Sequence, residues 1–232
     1  MDPLAGFFIN VLLAFYYLFE NLYRMVFRRQ AKNVSKDVVL VTGGANGLGR
    51  ALAFRFARRG ARVVIWDIDR DAIEDTVKHF TALGFKIFAY RVDVTDKEAV
   101  AKVANRVREE VGPVTLLVNN AGVVSGQKIL DLTDDQITRT FAVNTISHFW
   151  TVRAFLPDMI AARQGHVVTI ASLAGHLVSA RLSDYCASKH AAVGFTDALR
   201  FELNNDGLED IIVTEVSPYY IDTPMFKGVE PG

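Results

Sequence analysis

Two hydrophobic textures divide the chain. From Pro3 to Phe19 there are 17 residues without a charge, among them Phe7, Phe8, Ile9, Val11, Leu12, Leu13, Phe15 and Leu18. As a helix they would span roughly 25 Å, slightly short of the ~30 Å hydrocarbon core of a bilayer. Glu20, Arg24 and Arg28 then recur every fourth residue among Leu22, Tyr23, Val26 and Phe27, which makes the continuation amphipathic. After Lys36 short apolar runs alternate with stretches of helical period. The runs predict strands at 38–42, 63–67, 86–91, 115–119, 167–171 and 211–217. Between them the pattern predicts helices at 48–59, 71–83, 97–111, one long helix near 134–163, and 184–205. Strand–helix alternation at this spacing implies a doubly wound parallel sheet with helices on both faces. No solenoid period and no Pro- or Ser-rich linker interrupts it. The expected organisation is a helical segment at 1–30, one α/β domain at 36–217, and a loop from 218 to 232.

The leading segment lacks the marks of a secretory signal, which places positive charge before the apolar run and a small-residue cleavage site after it. Only Asp2 precedes this run, and Arg24, Arg28, Arg29, Lys32 and Lys36 follow it. Basic residues on that side predict a membrane anchor with the remainder of the chain in the cytosol. A buried core helix is the alternative, and whether an anchor spans the bilayer or lies flat stays open.

Composition narrows the function classes. Half the 232 residues are hydrophobic and 22% are charged, which excludes a disordered chain. Twenty-six basic against 26 acidic residues leave no net charge, so a nucleic-acid binder working through a general basic field is not expected. Cys186 is the single cysteine, so neither an internal disulfide nor a Cys/His zinc cluster can form around it. His79, His148, His166, His176 and His190 are scattered without metal-ligand spacing, and no metal is expected.

The first chemical signal is Thr42-Gly43-Gly44-Ala45-Asn46-Gly47-Leu48-Gly49, between the first strand and the first helix of the α/β domain. Glycines there permit a tight turn and let the backbone approach a pyrophosphate resting on the helix N-terminus. Any Gly-rich strand–helix turn can produce such a run. Asp67 strengthens it, closing the second strand where a carboxylate accepts hydrogen bonds from adenosine ribose hydroxyls. Alone, Asp67 would read as a turn-starting residue. An acid there repels a 2′-phosphate, and Asn46 and Ile68 bring no basic group. Together the features favour NAD over NADP.

The second signal is Tyr185-Cys186-Ala187-Ser188-Lys189. Residues at i and i+4 share a helix face, so phenol and ammonium lie side by side. A cation within about 4–6 Å can lower a pKa by roughly 1–3 units, which moves a phenol toward general-base use. On a surface the same spacing is usually only a solvated pair. Ser172 stands at the carboxyl end of an apolar strand, the edge where open α/β sheets bind ligands, and can hold a substrate oxygen there. A helix-capping serine is the plain alternative.

With these residues together, the chain from about Lys36 to Thr223 resembles the short-chain dehydrogenase/reductase family, with its Rossmann-like fold. Thr42–Gly49 looks like the family's T-G-x-x-x-G-x-G turn, Asp93-Val94 like its adenine-binding pair, and Asn119-Asn120-Ala121-Gly122 like its N-N-A-G segment. Asn144, Ser172, Tyr185 and Lys189 fall on its catalytic tetrad in order and spacing. Trp66-Asp67-Ile68, His148–Thr151, Ala154–Pro157 and Gly165–Val168 look like a membrane-associated branch that includes epidermal-type retinol dehydrogenases and 17β-hydroxysteroid dehydrogenases.

What the resemblance implies is an NAD-dependent oxidoreductase acting on a lipophilic alcohol, a retinoid or a hydroxysteroid. Tyr185 would take the hydroxyl proton, Lys189 would lower its pKa and bond the nicotinamide ribose, and Ser172 would steady the substrate oxygen. Asn144 would order a water linking Lys189 to solvent. Gly43, Asn46, Gly47, Leu48, Gly49, Asp67, Asp93 and Val94 would hold the cofactor, together with Asn119, Tyr185, Lys189, Ile221 and Thr223. The branch also implies an endoplasmic-reticulum or lipid-droplet membrane, a domain facing the cytosol and possible homo-oligomers.

Two departures stand out. Where the family carries P-G-x-x-x-T, this chain has Pro218-Tyr219-Tyr220-Ile221-Asp222-Thr223, and Tyr219 in place of glycine puts local backbone and pocket width in question. The sequence also ends at Gly232, where family members continue through a substrate-covering helix and a seventh strand. The expectation is a truncated C-terminus that keeps the NAD pocket with weak or no turnover. A non-catalytic, membrane-bound interaction protein is the alternative reading.

Overall fold

The computed structural model describes residues 3–26 and 32–228. The chain divides into two compact units, Met1–Asn33 and Val34–Gly232. In the first, helix α1 runs from Pro3 to Val26. Phe7, Ile9, Leu12, Leu13, Phe15, Tyr16, Tyr17, Leu18 and Phe19 are all exposed on it. Among the described residues, no helix is long and apolar enough to cross a membrane. Residues 1–2 and 27–30 of the expected anchor segment and 229–232 of the expected loop lie outside the described residues.

The second unit alternates β1 (Val38–Thr42), α2 (Gly47–Arg58), β2 (Arg62–Asp67), α3 (Arg70–Ala82), β3 (Ile87–Arg91), α4 (Lys97–Glu110) and β4 (Leu116–Asn119). It continues through α5 (Asp134–Phe141), a π turn (Ala142–Ile146), α6 (Ser147–Ala162), β5 (Gly165–Ile170), α7 (Ser183–Asn205) and β6 (Ile211–Val216). Short 3-10 turns follow β5 and β6, at Leu173–Gly175 and Pro224–Phe226. The strands form one parallel sheet in the order β3-β2-β1-β4-β5-β6. Strand order reverses between β1 and β4, and the crevice at that switch point is where such sheets bind ligands.

Burial on both faces explains the unbroken apolar strands, and all five residues of β1 are buried. Val39, Val41, Val63, Ile65 and Val118 pack with Ala53, Ala57 and Phe80 on one side. Val38, Leu40, Trp66, Leu117 and Val167 pack with Val107, Phe155, Met159 and Leu199 on the other. Helix starts are set locally. Asp69 and Asp96 accept from Ala72 N and Ala99 N to cap α3 and α4, and Thr133 with Gln136 forms a capping box on α5.

One predicted element is divided. The long helix expected near 134–163 is α5 and α6 joined through the π turn. A π turn accommodates an extra residue without ending the helix, so the hydrophobic period passes through it nearly undisturbed. Asn144 sits inside that turn.

Candidate active site

Above the carboxyl ends of the strands lies a cavity of about 980 Å³. Its wall includes Gly43, Asn46, Gly47, Leu48, Gly49, Asp67, Asp93, Val94, Ser172, Tyr185, Lys189, Ile221 and Thr223. Of the residues singled out in the sequence, Asn119 and Asn144 are absent from that wall and lie buried behind it.

The glycine turn owes its shape to contacts from the next crossover. Gly43 and Gly47 have φ of +60° and +48°, a region that disfavours side chains. Thr42 Oγ1 accepts from Asn120 N and Ala121 N, both at 3.0 Å, while Asn120 Nδ2 donates to Thr42 O at 2.9 Å and Gly43 O at 3.2 Å. This Thr42–Asn120 brace holds the turn against the N-N-A-G segment. Asn46 caps α2 without a side-chain hydrogen bond, so the first helical N–H groups stay available to an anion. Asp67 closes the corner, with Oδ2 accepting from Ala45 N at 3.0 Å and Oδ1 from Asp69 N at 3.1 Å. Arg91, its register partner on β3, donates to the Ile68 carbonyl at 3.1 Å. These groups fit a dinucleotide: uncapped N–H groups for its phosphates and a fixed carboxylate for a ribose.

At the other end stand Ser172, Tyr185 and Lys189. Ser172 follows β5, and its hydroxyl accepts from Ala174 N at 3.1 Å, so it is the helix-capping serine and a cavity-facing one at once. Tyr185 is buried in the first turn of α7 beside Leu182, Cys186, Val124 and Phe226. The Phe226 ring meets it edge-on at 6.0 Å, and Tyr220 packs on Phe226 at 5.4 Å. The wall beside the phenol is therefore apolar. Tyr219 is exposed, and the only non-glycine residues with positive φ among those described are Arg163 and Arg181. Tyrosine at the family's glycine position thus needs no left-handed backbone.

The electrostatics differ from the expectation of a phenol eased toward ionisation. Burial pushes the Tyr185 phenol up from 10.0, and the hydrogen bond with Ser172 opposes this. Lys189 Nζ lies 5.7 Å from the Tyr185 ring centre and donates to the Ile170 carbonyl at 2.8 Å. Burial of the ammonium lowers its own pKa from 10.5 to about 8. Desolvation leads both shifts, and neither draws on the other group of the pair.

The Lys189 shift gives a stability prediction. Because the folded value lies below the unfolded one, burying the ammonium destabilises the fold fully below pH ~8, and the penalty fades as pH rises toward 10.5. Lys189→Met should therefore melt above the wild type at pH 7, by roughly 2–4 °C for each kcal/mol recovered. The gain should vanish near pH 10.5 in calorimetry across that range. A variant melting below the wild type at pH 7 would mean that the Lys189–Ile170 bond outweighs the desolvation.

Asn144 is held rather than free. Its Oδ1 accepts from Val123 N at 2.8 Å, and its Nδ2 donates to Val123 O at 2.9 Å and Ser188 Oγ at 3.0 Å. Thr145 donates to the Ser188 carbonyl at 2.9 Å, so the π turn is clamped to α7 one residue before Lys189. Asn119 Oδ1 accepts from Thr151 at 2.8 Å. Other cavity residues carry no signal in the sequence: Val123 and Val124 from a loop, and Asp135, Thr138 and Arg139 from α5. Among the described residues, no group of three or more His, Cys, Asp or Glu is placed to hold a metal ion.

Comparison with known proteins agrees with this geometry. Residues 37–232 match the family described as short chain dehydrogenase. The bovine (Bos taurus) short-chain dehydrogenase/reductase family 16C member 6 is 46% identical over 214 residues, 92% of this chain and 68% of that protein. Human (Homo sapiens) epidermal retinol dehydrogenase 2 is 44% identical over 93% of this chain and 71% of its own length. Mouse (Mus musculus) estradiol 17-beta-dehydrogenase 11 is 41% identical over 90% and 70%. The chain thus spans about two thirds to seven tenths of these relatives. Among solved structures, a short chain dehydrogenase/reductase from Burkholderia phymatum in complex with NAD superposes with a TM-score of 0.81 at 32% identity, over 85% of this chain and 70% of that one.

Proposed function

This chain belongs to the short-chain dehydrogenase family, and we propose that it is an NAD-dependent oxidoreductase interconverting a lipophilic alcohol, retinoid or hydroxysteroid, with its carbonyl compound. The observation that carries the reading is the two-ended cavity. A glycine turn and Asp67 form one end, Ser172, Tyr185 and Lys189 the other, and the apolar wall of Phe226 and Val124 lies beside the phenol.

In this reading the uncapped start of α2 would take the pyrophosphate, Asp67 would accept from the adenosine ribose, and Lys189, with two donors left beside its bond to Ile170, would serve the nicotinamide ribose. Bound NAD supplies the ring that accepts the carbinol hydride. The Ser172 hydroxyl donates to the substrate oxygen, and the Tyr185 phenolate oxygen takes the substrate's hydroxyl proton. Burial favours the neutral phenol, and the positive nicotinamide ring of bound NAD and the Lys189 ammonium would together oppose that preference. Asn144, through Val123 and Ser188, keeps the floor of the site in place. The dehydrogenase relatives whose names specify retinol or estradiol support a lipophilic substrate. The reading is tested by following NADH fluorescence when membranes carrying the full chain receive a panel of retinoid, steroid and short polar alcohols. Turnover confined to the polar alcohols would overturn it.

Cofactor preference follows from Asp67. Two like charges about 4 Å apart repel by ~1 kcal/mol in water and ~4 kcal/mol at an effective dielectric constant of 20, so NAD should bind roughly 5- to 10³-fold tighter than NADP. Asp67→Ser removes the repulsion and leaves Arg91 nearby, so the preference should shrink at least about fivefold. Equal affinities for both cofactors in calorimetric titration of the wild type would sink the assignment.

We further place α1 at a membrane, of the endoplasmic reticulum or a lipid droplet, with the α/β domain on the cytosolic side. Nine exposed large hydrophobic side chains among the described residues of one helix and the basic cluster that follows in the sequence support this. The full chain should sediment with membranes through a high-salt wash, and the double substitution Leu12→Asp/Leu13→Asp should release it. A wild-type chain left in the supernatant would refute the attachment.

A further inference from the structure

Among the polar side-chain atoms buried without a hydrogen-bond partner on the α6-facing side of the sheet are Asn119 Nδ2, Thr169 Oγ1 and His148 Nδ1. Asn119 and Thr169 are register partners on β4 and β5, and so point to the same face. Helix α6 brings the third. Thr151 donates to Asn119 Oδ1 at 2.8 Å, and its hydroxyl lies 3.1 Å from the His148 carbonyl oxygen. All three residues are at most 2% exposed.

An amide donor, a hydroxyl and an imidazole nitrogen are a set that one internal water can satisfy, accepting from the amide and the hydroxyl and donating to the imidazole nitrogen. Buried polar groups in native proteins are paired, with protein or with ordered water, and no protein group serves these three. The site borders the proposed chemistry. Lys189 Nζ donates to the carbonyl of Ile170, the residue after Thr169. The Phe195 ring of α7 packs against the imidazole at 5.9 Å. Burial first, then the charge of Lys189, holds His148 neutral, with a pKa of about 3.

We propose that Asn119, Thr169 and His148 form an internal water site behind Lys189, and that His148, as a neutral hydrogen-bond acceptor, is a positioning residue for the Lys189 ammonium. The proposal rests on the reading that Lys189 serves the dehydrogenase site. It is separate from Asn144, whose side chain is taken up by Val123 and Ser188. A neutral ring and an oriented water dipole give the buried ammonium a polar neighbour that a protonated imidazole would turn into a repulsive one. Without them Lys189 gives up its proton at lower pH.

The test is NMR on the full chain in detergent with NAD bound. Long-range ¹H–¹⁵N spectra should show His148 Nδ1 as an unprotonated, hydrogen-bonded acceptor that does not titrate between pH 5 and 9. The ¹³Cε signal of Lys189, assigned with Lys189→Arg, gives its titration directly. Thr169→Val, nearly isosteric, should move the His148 nitrogen toward the free-acceptor position and shift the Lys189 midpoint to lower pH. Thr169→Ser should restore both. A protonated Nδ1, or an unmoved His148 signal in Thr169→Val, would overturn the water site. A moved His148 signal with an unmoved Lys189 midpoint would overturn the positioning role. Neither signal needs turnover, so a chain that oxidised no alcohol would sink the dehydrogenase reading and leave this test standing.

Discussion

Tyr185→Phe should lower alcohol oxidation by about 10²- to 10⁴-fold, the usual contribution of a positioned proton-transfer group, and leave NADH binding nearly unchanged. The substitution removes one oxygen and keeps the ring. Contacts with Leu182, Val124 and Phe226 are apolar and survive, and so does the edge-on arrangement with Phe226. What is lost is the hydrogen bond with Ser172 and the acceptor for the substrate proton. The melting temperature should therefore move little while turnover collapses. The check is paired: steady-state NADH production and fluorescence titration of NADH on the same preparation. Turnover within tenfold of the wild type would assign the proton transfer to another group. Equal loss of binding and turnover would point to a damaged pocket rather than missing chemistry.

Gly49→Ala should abolish cofactor binding and destabilise the α/β domain. A Cβ there would lie 2.0 Å from the Gly43 carbonyl oxygen and 2.5 Å from Asn120 Nδ2. Both atoms belong to the brace that fixes the turn, since Asn120 Nδ2 donates to Gly43 O at 3.2 Å. Relief requires the turn to open, which misplaces the N–H groups at the start of α2. Overpacking typically costs ~1–3 kcal/mol, or roughly 2–12 °C in a domain of this size. Gly194→Ala is the control: it lies within α7 with nothing within 4 Å of the added carbon, and should stabilise by ~0.5–1 kcal/mol. Melting curves with and without NAD separate the effects, the wild type gaining stability with ligand and Gly49→Ala gaining none. A ligand-induced shift of wild-type size in Gly49→Ala would remove the turn from the cofactor site.

Much of the fold is legible in the amino-acid sequence. Parallel strands buried on both faces must be continuous apolar runs, which makes β1, β4 and β5 visible and with them the doubly wound sheet. The glycine turn and the Tyr185/Lys189 spacing are local, and local chemistry leaves local marks. What stays hidden depends on contacts between segments far apart in sequence. Thr42 and Asn120 lie inside recognisable motifs, yet their pairing, 78 residues apart, appears only in the folded crossover. The π turn leaves the helical period almost intact, so Asn144 reads as a residue of one long helix. His148 enters the sequence only as part of a branch motif and Thr169 as an ordinary strand position, because nothing local marks their polar atoms as buried without partners. Burial also reverses the simple expectation for Tyr185, since a pairing argument from spacing omits the desolvation of both partners.

The central claim is direct hydride transfer from a lipophilic alcohol to NAD within the cavity that joins Asp67 to Tyr185. It is tested most directly with retinol and a hydroxysteroid carrying deuterium on the carbinol carbon, incubated with NAD and membranes bearing the full chain. One deuterium is expected in each NADH formed, in step with the carbonyl product, and almost no labelled NADH is expected with Tyr185→Phe. Carbonyl product with no deuterium in the cofactor, or label appearing at the same rate with Tyr185→Phe, would contradict it.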